Sequence, residues 1–233
     1  MMSTKTQRAA IPEAGLTVMR ATAGEFFLRK WDINMRGQDR VPVDGPVILA
    51  SNHLGWVDGP LVVARAPRRL HTLVKEEEFA GKHRHLLRLI GQIKVSRNRV
   101  DSGALRRAAG ALEAGQAVGI FPEGIRGDGE LRSIKSGVAW LALVSGAPVV
   151  PLAIFGTRER GEGPDYKPAE GARIDMVYGR PIEIDPQPWP RDRFMIDEAA
   201  AQIHSHLRDH LAWAKAAARR DLPGPMPAGA WNV

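Results

Sequence analysis

The stretch Gly45-Pro46-Val47-Ile48-Leu49-Ala50-Ser51-Asn52-His53-Leu54-Gly55-Trp56-Val57-Asp58-Gly59-Pro60 joins a short apolar run to a polar loop and then to a helix start. Gly-Pro opens the run, and the uncharged residues after it describe a buried strand that delivers its carboxyl end to the loop at His53. Asp58, standing before Gly59-Pro60, reads as the N-cap of a helix through about Ala66, because proline is tolerated in the first helical turn. Strand, loop and helix in this order make one unit of an α/β sheet and put a histidine at the sheet's carboxyl edge.

The same unit recurs on the C-terminal side. HTLVK (71–75) reads as a strand, the region from Glu76 to Ile90, broken near Gly81, as helix, IKVS (93–96) as a strand and Ser102 to Ala114 as a helix. QAVGIF (116–121) is a further apolar strand, followed by a Gly-rich loop at 122–129, a helix from Ser136 to Ser145 and a strand from Val149 to Phe155. RIDMVY (173–178) alternates like a half-exposed strand. Residues 156–172 and 185–190 carry Gly, Pro and charge in the proportions of loops, and 191–220 reads as one long helix before the tail LPGPMPAGAWNV, expected to be loose. The predicted fold is therefore one α/β domain over residues 1–233: a mostly parallel central sheet flanked by helices (core 45–190), an N-terminal amphipathic helical region (1–44) of surface helices, and a long C-terminal helix (191–220). No repeat at a solenoid period is present.

With 233 residues, 44% hydrophobic and 25% charged, the chain has the composition of a globular protein with a core. Its net charge of +7 attracts anionic partners, phospholipid headgroups and phosphorylated substrates among them. The basic residues are scattered rather than gathered on one helix among aromatics, which argues against nucleic acid as the partner. The absence of cysteine excludes disulfides, Cys-based zinc sites and a thiol nucleophile. No run reaches the ~18–20 apolar residues needed to span a bilayer, and the first ten residues lack the apolar core of a secretory signal. The expectation is a cytoplasmic protein that touches the membrane only peripherally, at its cytoplasmic face. GLTVMRATAGEFFLRKWD (15–32) mixes Leu16, Met19, Phe26, Phe27 and Trp31 with Arg20, Arg29 and Lys30, which suits either helix lying on an anionic lipid surface or helix packed on the core.

His53 and Asp58 carry the first chemical reading. A loop of this length folds the carboxylate back onto the imidazole, fixes the tautomer and leaves the other ring nitrogen free to take a proton from a hydroxyl. The alternative is a loop histidine that caps a turn. His204 and Asp209 repeat the spacing, but five residues along one helix set side chains about 140° apart, so that pair does not meet. Phe121-Pro122-Glu123-Gly124-Ile125-Arg126-Gly127 follows a second buried strand and should emerge on the same face as His53. There Arg126 suits phosphate oxygens and Gly124 admits close backbone approach, the alternative being a solvated loop salt bridge. Arg97, with Arg99 beside it, ends a third strand. His83 and His85 sit among cations that oppose metal binding, and His204, His206 and His210 are expected to face solvent. GTRERGEG (156–163) matches no phosphate-binding fingerprint, and both lid and plain surface remain open for it.

Asn52-His53 to Asp58, GQIKVSR (91–97), FPEGIRG (121–127) and APVVPL (147–152) resemble, in order, the four sequence blocks of the 1-acylglycerol-3-phosphate acyltransferase family. Val74-Lys75-Glu76-Glu77-Glu78-Phe79 is similar to the Lys/Glu-rich segment which that family carries between its first two blocks. The resemblance covers about Gly45 to Gly156. It implies an acyltransferase with a catalytic His53/Asp58 dyad, substrate binding by Arg97, Glu123, Gly124 and Arg126, an acyl-CoA or acyl-carrier-protein donor, a lipid acceptor, and neither metal nor cofactor. Three positions depart from the family pattern: Gly55 stands where the first block usually has serine, and Ile125 and Gly127 where the third usually has threonine and serine. The hydroxyls missing from the third block leave a non-glycerolipid hydroxyl acceptor open beside 1-acyl-sn-glycerol-3-phosphate. A thioesterase using the same base with water, and a non-catalytic basic module on a membrane or nucleic acid, are the remaining alternatives.

Overall fold

A computed structural model describes residues 10–96 and 101–230. In chain order the elements are α1 (Ala14–Lys30), β1 (Asp32–Arg36), β2 (Val47–Ser51), α2 (Asp58–Arg65), β3 (Leu70–Lys75), α3 (Arg84–Leu89), β4 (Ile93–Val95), α4 (Ser102–Glu113), β5 (Ala117–Ile120), α5 (Gly137–Ser145), β6 (Val149–Phe155), β7 (Arg173–Tyr178) and α6 (Arg193–Ala218), with short 3-10 turns at Gln38–Arg40 and Glu76–Phe79. Among the described residues the strands form one seven-stranded sheet in the order β1-β7-β6-β2-β5-β3-β4. Strands β6, β2, β5, β3 and β4 run parallel, β7 is antiparallel to β6, and β1 pairs with β7 in parallel. The fold is the mostly parallel α/β sheet that alternating strand and helix signals imply.

Successive strand residues point to opposite faces, and this period of two builds two cores. Ile48, Ala50, Val118, Ile120, Val149 and Phe155 join Leu112, Leu141, Ile203, Leu207 and Leu211 under α4, α5 and α6. Val47, Leu49, Val150, Leu152, Ile154 and Tyr178 join Trp31, Leu61 and Val62 under α1 and α2. Both faces are covered, which is why the central strands read as continuous apolar runs.

The structure departs from the sequence reading in several places. The N-terminal region is not helical throughout: Asp32–Arg36 forms the edge strand β1, whose only apolar side chains, Ile33 and Met35, alternate over too few residues to stand out. Arg20 turns inward and donates to the carbonyls of Val63, Ala66 and Arg68 at 3.0, 2.5 and 2.9 Å, closing the C-terminal end of α2. The three C-terminal histidines do not face solvent freely. His210 is buried and donates Nε2–H to Val177 O at 2.9 Å, while His204 and His206 reach the carbonyls of Leu131 and Arg180. The tail after α6 packs back on the domain, with Leu222 in the first core.

Asn52, fully buried just past the end of β2, extends the ladder with its side chain. Its Nδ2 donates to Ile154 O at 3.1 Å and its Oδ1 accepts from Ile154 N at 2.8 Å. Asn52→Ala leaves that buried peptide without partners, and urea unfolding is expected to show a loss of about 2–4 kcal/mol. A loss under about 1 kcal/mol would mean that the Ile154 peptide finds other partners.

Candidate active site

Register decides what meets at the sheet's carboxyl edge. Ala50 on β2 lies opposite Ile120 on β5, so the chains through His53 and Glu123 leave the sheet side by side. Asp58, fully buried, opens α2, where a negative charge is favoured by the helix dipole. Its side chain caps the preceding loop rather than the helix: Oδ2 accepts from Leu54 N at 2.6 Å, Gly55 N at 2.9 Å and His53 Nδ1 at 2.8 Å. An ionised carboxylate only accepts, so Nδ1 of His53 carries the hydrogen and Nε2 presents its lone pair. The ring stacks on Phe121, with centroids 4.1 Å apart and planes at 21°, and its side chain remains 16% exposed. An oriented imidazole with a free basic nitrogen at an accessible edge is equipped to take a proton from a substrate hydroxyl.

The FPEGIRG loop grips the backbone of His53 on both sides. Glu123 Oε2 accepts from His53 N at 3.0 Å, its Oε1 accepts from Leu131 N at 3.3 Å, and Gly127 N donates to His53 O at 2.8 Å. Burial pushes the Glu123 carboxyl up to about 7 from 4.5, against the two backbone hydrogen bonds that favour its ionised form. The folded state thus holds this proton more tightly than the unfolded chain does. The resulting contribution to stability is fully present below 4.5 and is lost as pH rises through about 7. Gly124 has φ +74°, and the Lys135 side chain lies where a Cβ would be, so glycine meets both the backbone and the space requirement.

Arg126 lies at the same edge, its Nη1 donating to Asp165 Oδ1 at 3.0 Å and its Nη2 3.6 Å from Glu78 Oε1. Its guanidinium therefore sits between carboxylates from the loop after β6 and the turn after β3. Arg97 and Arg99 lie outside the described residues. Sequence reasoning missed Arg158, which is 2% exposed and donates to Leu54 O, Gly127 O, Glu162 O and Gly224 O. Nothing local separates it from its exposed neighbour Arg160 in GTRERGEG. Among the described residues no group of three or more His, Cys, Asp or Glu side chains is placed to hold a metal ion.

Comparison with known proteins agrees with this geometry. The family model described as Acyltransferase matches residues 32–155. The chain is 30% identical over 152 residues to the 1-acyl-sn-glycerol-3-phosphate acyltransferase of Bacillus subtilis (strain 168), covering 64% of this chain and 73% of that protein. It is 31% identical over 161 residues to the lyso-ornithine lipid O-acyltransferase of Pseudomonas aeruginosa, covering 65% of this chain and 60% of that relative. The crystal structure of the 1-acyl-sn-glycerophosphate acyltransferase PlsC from Thermotoga maritima shares the fold, with a TM-score of 0.64 at 20% identity over 86% of this chain and 80% of that one. The chain belongs to the acyltransferase family, alongside the 1-acyl-sn-glycerol-3-phosphate acyltransferases.

Proposed function

We propose that this acyltransferase moves a fatty acyl group from an acyl-CoA or acyl-carrier-protein thioester to the free hydroxyl of 1-acyl-sn-glycerol-3-phosphate, giving phosphatidic acid. The observation that carries the reading is the 2.8 Å hydrogen bond from His53 Nδ1 to the buried Asp58 carboxylate. His53 Nε2 takes the acceptor's hydroxyl proton as its oxygen attacks the thioester carbonyl. The tetrahedral intermediate collapses with loss of the thiolate, which recovers the proton from the imidazolium. Asp58 holds the ring and stabilises that imidazolium.

On the acceptor side we assign Arg126 and Arg97 to the phosphate, with Glu123 and Gly124 shaping the loop between them and His53. The assignment of Arg97 rests on the sequence blocks alone. For Arg126, phosphate must compete with Asp165 and Glu78, which already hold the guanidinium. That competition, together with the missing hydroxyls at Ile125 and Gly127, favours a second reading: an unphosphorylated lipid acceptor bearing a hydroxyl, as the name of the Pseudomonas relative implies for that protein.

Membrane contact follows from α1 and α3. No helix among the described residues is long and apolar enough to cross a bilayer. Val18, Met19 and Phe26 of α1 and Leu86 and Leu89 of α3 line an open apolar groove of about 730 Å³, with Phe26 56% and Leu89 66% exposed. Exposed Arg29, Arg84 and Arg88 lie on the same two helices. Apolar side chains in the headgroup boundary with cations beside phosphate describe a peripheral contact, each cation adding about 1 kcal/mol on an anionic surface.

Three measurements test these assignments. His53→Ala is expected to lower acyl transfer from palmitoyl-CoA at least about 10²-fold with the circular dichroism spectrum unchanged, and Asp58→Asn to lower it strongly as well. More than about a tenth of the activity remaining in His53→Ala would remove His53 from the mechanism. With 1-acyl-sn-glycerol-3-phosphate as acceptor, Arg126→Ala should raise the acceptor's KM about tenfold and the donor's far less. An unchanged acceptor KM would remove Arg126 from the phosphate site and leave it to its carboxylate partners Asp165 and Glu78. Finally, co-sedimentation with anionic vesicles should fall with salt and fall again in Phe26→Ser with Leu89→Ser, whereas undiminished binding by the double variant would move the contact off this groove.

A further inference from the structure

We propose that Arg158, a residue outside the four sequence blocks, is a positioning residue for acyl transfer that sets the place of the His53 ring through the two peptides on either side of it. Leu54 is held at both ends, its N–H on Asp58 Oδ2 and its C=O on Arg158 Nε at 3.1 Å. Gly127 is held in the same way: its N–H is on His53 O, and its C=O is on Arg158 Nη2 at 3.0 Å. The same guanidinium takes Glu162 O at 3.0 Å from its own loop and Gly224 O at 2.7 Å from the segment after α6. One planar fork thus joins the loops after β2, β5 and β6 to the C-terminal segment. An ammonium has neither the fixed fork nor the reach to bond all four carbonyls at once. Burial lowers the proton affinity of Arg158, but among the described residues every hydrogen bond it makes goes to backbone carbonyl, so its work there is geometric.

The inference rests on His53 being the general base, and the test separates the two. Steady-state kinetics with palmitoyl-CoA and 1-acyl-sn-glycerol-3-phosphate, well below each variant's melting temperature, should give Arg158→Met a kcat lower by about 10²-fold, since a misplacement of about 1 Å has that effect. KM for both substrates should stay within about threefold, because Arg158 touches neither. Arg158→Lys should recover part of the rate and remain about three- to tenfold below wild type. A purely structural role would lower the melting temperature and leave kcat of the folded enzyme within about twofold of wild type, which overturns the inference. If Arg158→Met does not fold, Arg158→Lys decides alone, and a kcat at the wild-type level overturns the inference. An inactive His53→Ala beside a fully active Arg158→Met removes the inference and keeps the general base; an active His53→Ala removes both.

Discussion

A carboxylate with no exposed surface must find donors or lose its charge, and Asp58 finds three within one turn of chain. An ionised group left bare there would cost several kcal/mol, so the path of the chain from His53 to Asp58 is fixed by the need to bring two backbone N–H groups and one ring nitrogen to a single oxygen. The orientation of the imidazole is a by-product of that satisfaction. All three donors meet Oδ2, so the carboxylate is turned upstream and makes no cap for the helix behind it, while Oδ1 is buried without a hydrogen-bond partner.

Around this centre the protein turns ordinary backbone accounting into an instrument. The loop after β5 takes the amide and carbonyl of His53, the Asn52 side chain continues the ladder to β6, and Leu131, whose amide bonds Glu123, offers its carbonyl to His204 on α6. The layers on both sides of the sheet therefore bear on one histidine. Glu123 keeps its place although burial opposes its charge, because its two oxygens are the partners of two backbone amides.

What the sequence disclosed is what depends on near neighbours. The strands β2, β5 and β6 announce themselves as apolar runs, and His53 and Asp58 lie five residues apart in a strand, loop and helix that fix their meeting. The order of the blocks then leads to the family. What it withheld depends on partners far along the chain. Arg158 lies 104 residues from Leu54, and its neighbour Arg160 has the same local surroundings but a different fate. Arg20 looks like a lipid-facing cation until the end of α2 arrives beneath it, 43 to 48 residues later. Strand β1 is too short and too polar to be seen without β7, and His210 shows its burial only once Val177 is known to lie against it.

The pairing of the first strand with the last, and the bond from Gly224 to Arg158, also set a schedule. A ribosome releases the chain from its N-terminal end, so β1 waits without a neighbour until residues 173–178 have been made. The clamp behind His53 waits longer still, until residue 224 has emerged. A nascent chain therefore carries its histidine and carboxylate well before the clamp behind them can close, because that clamp needs a residue 171 positions beyond His53.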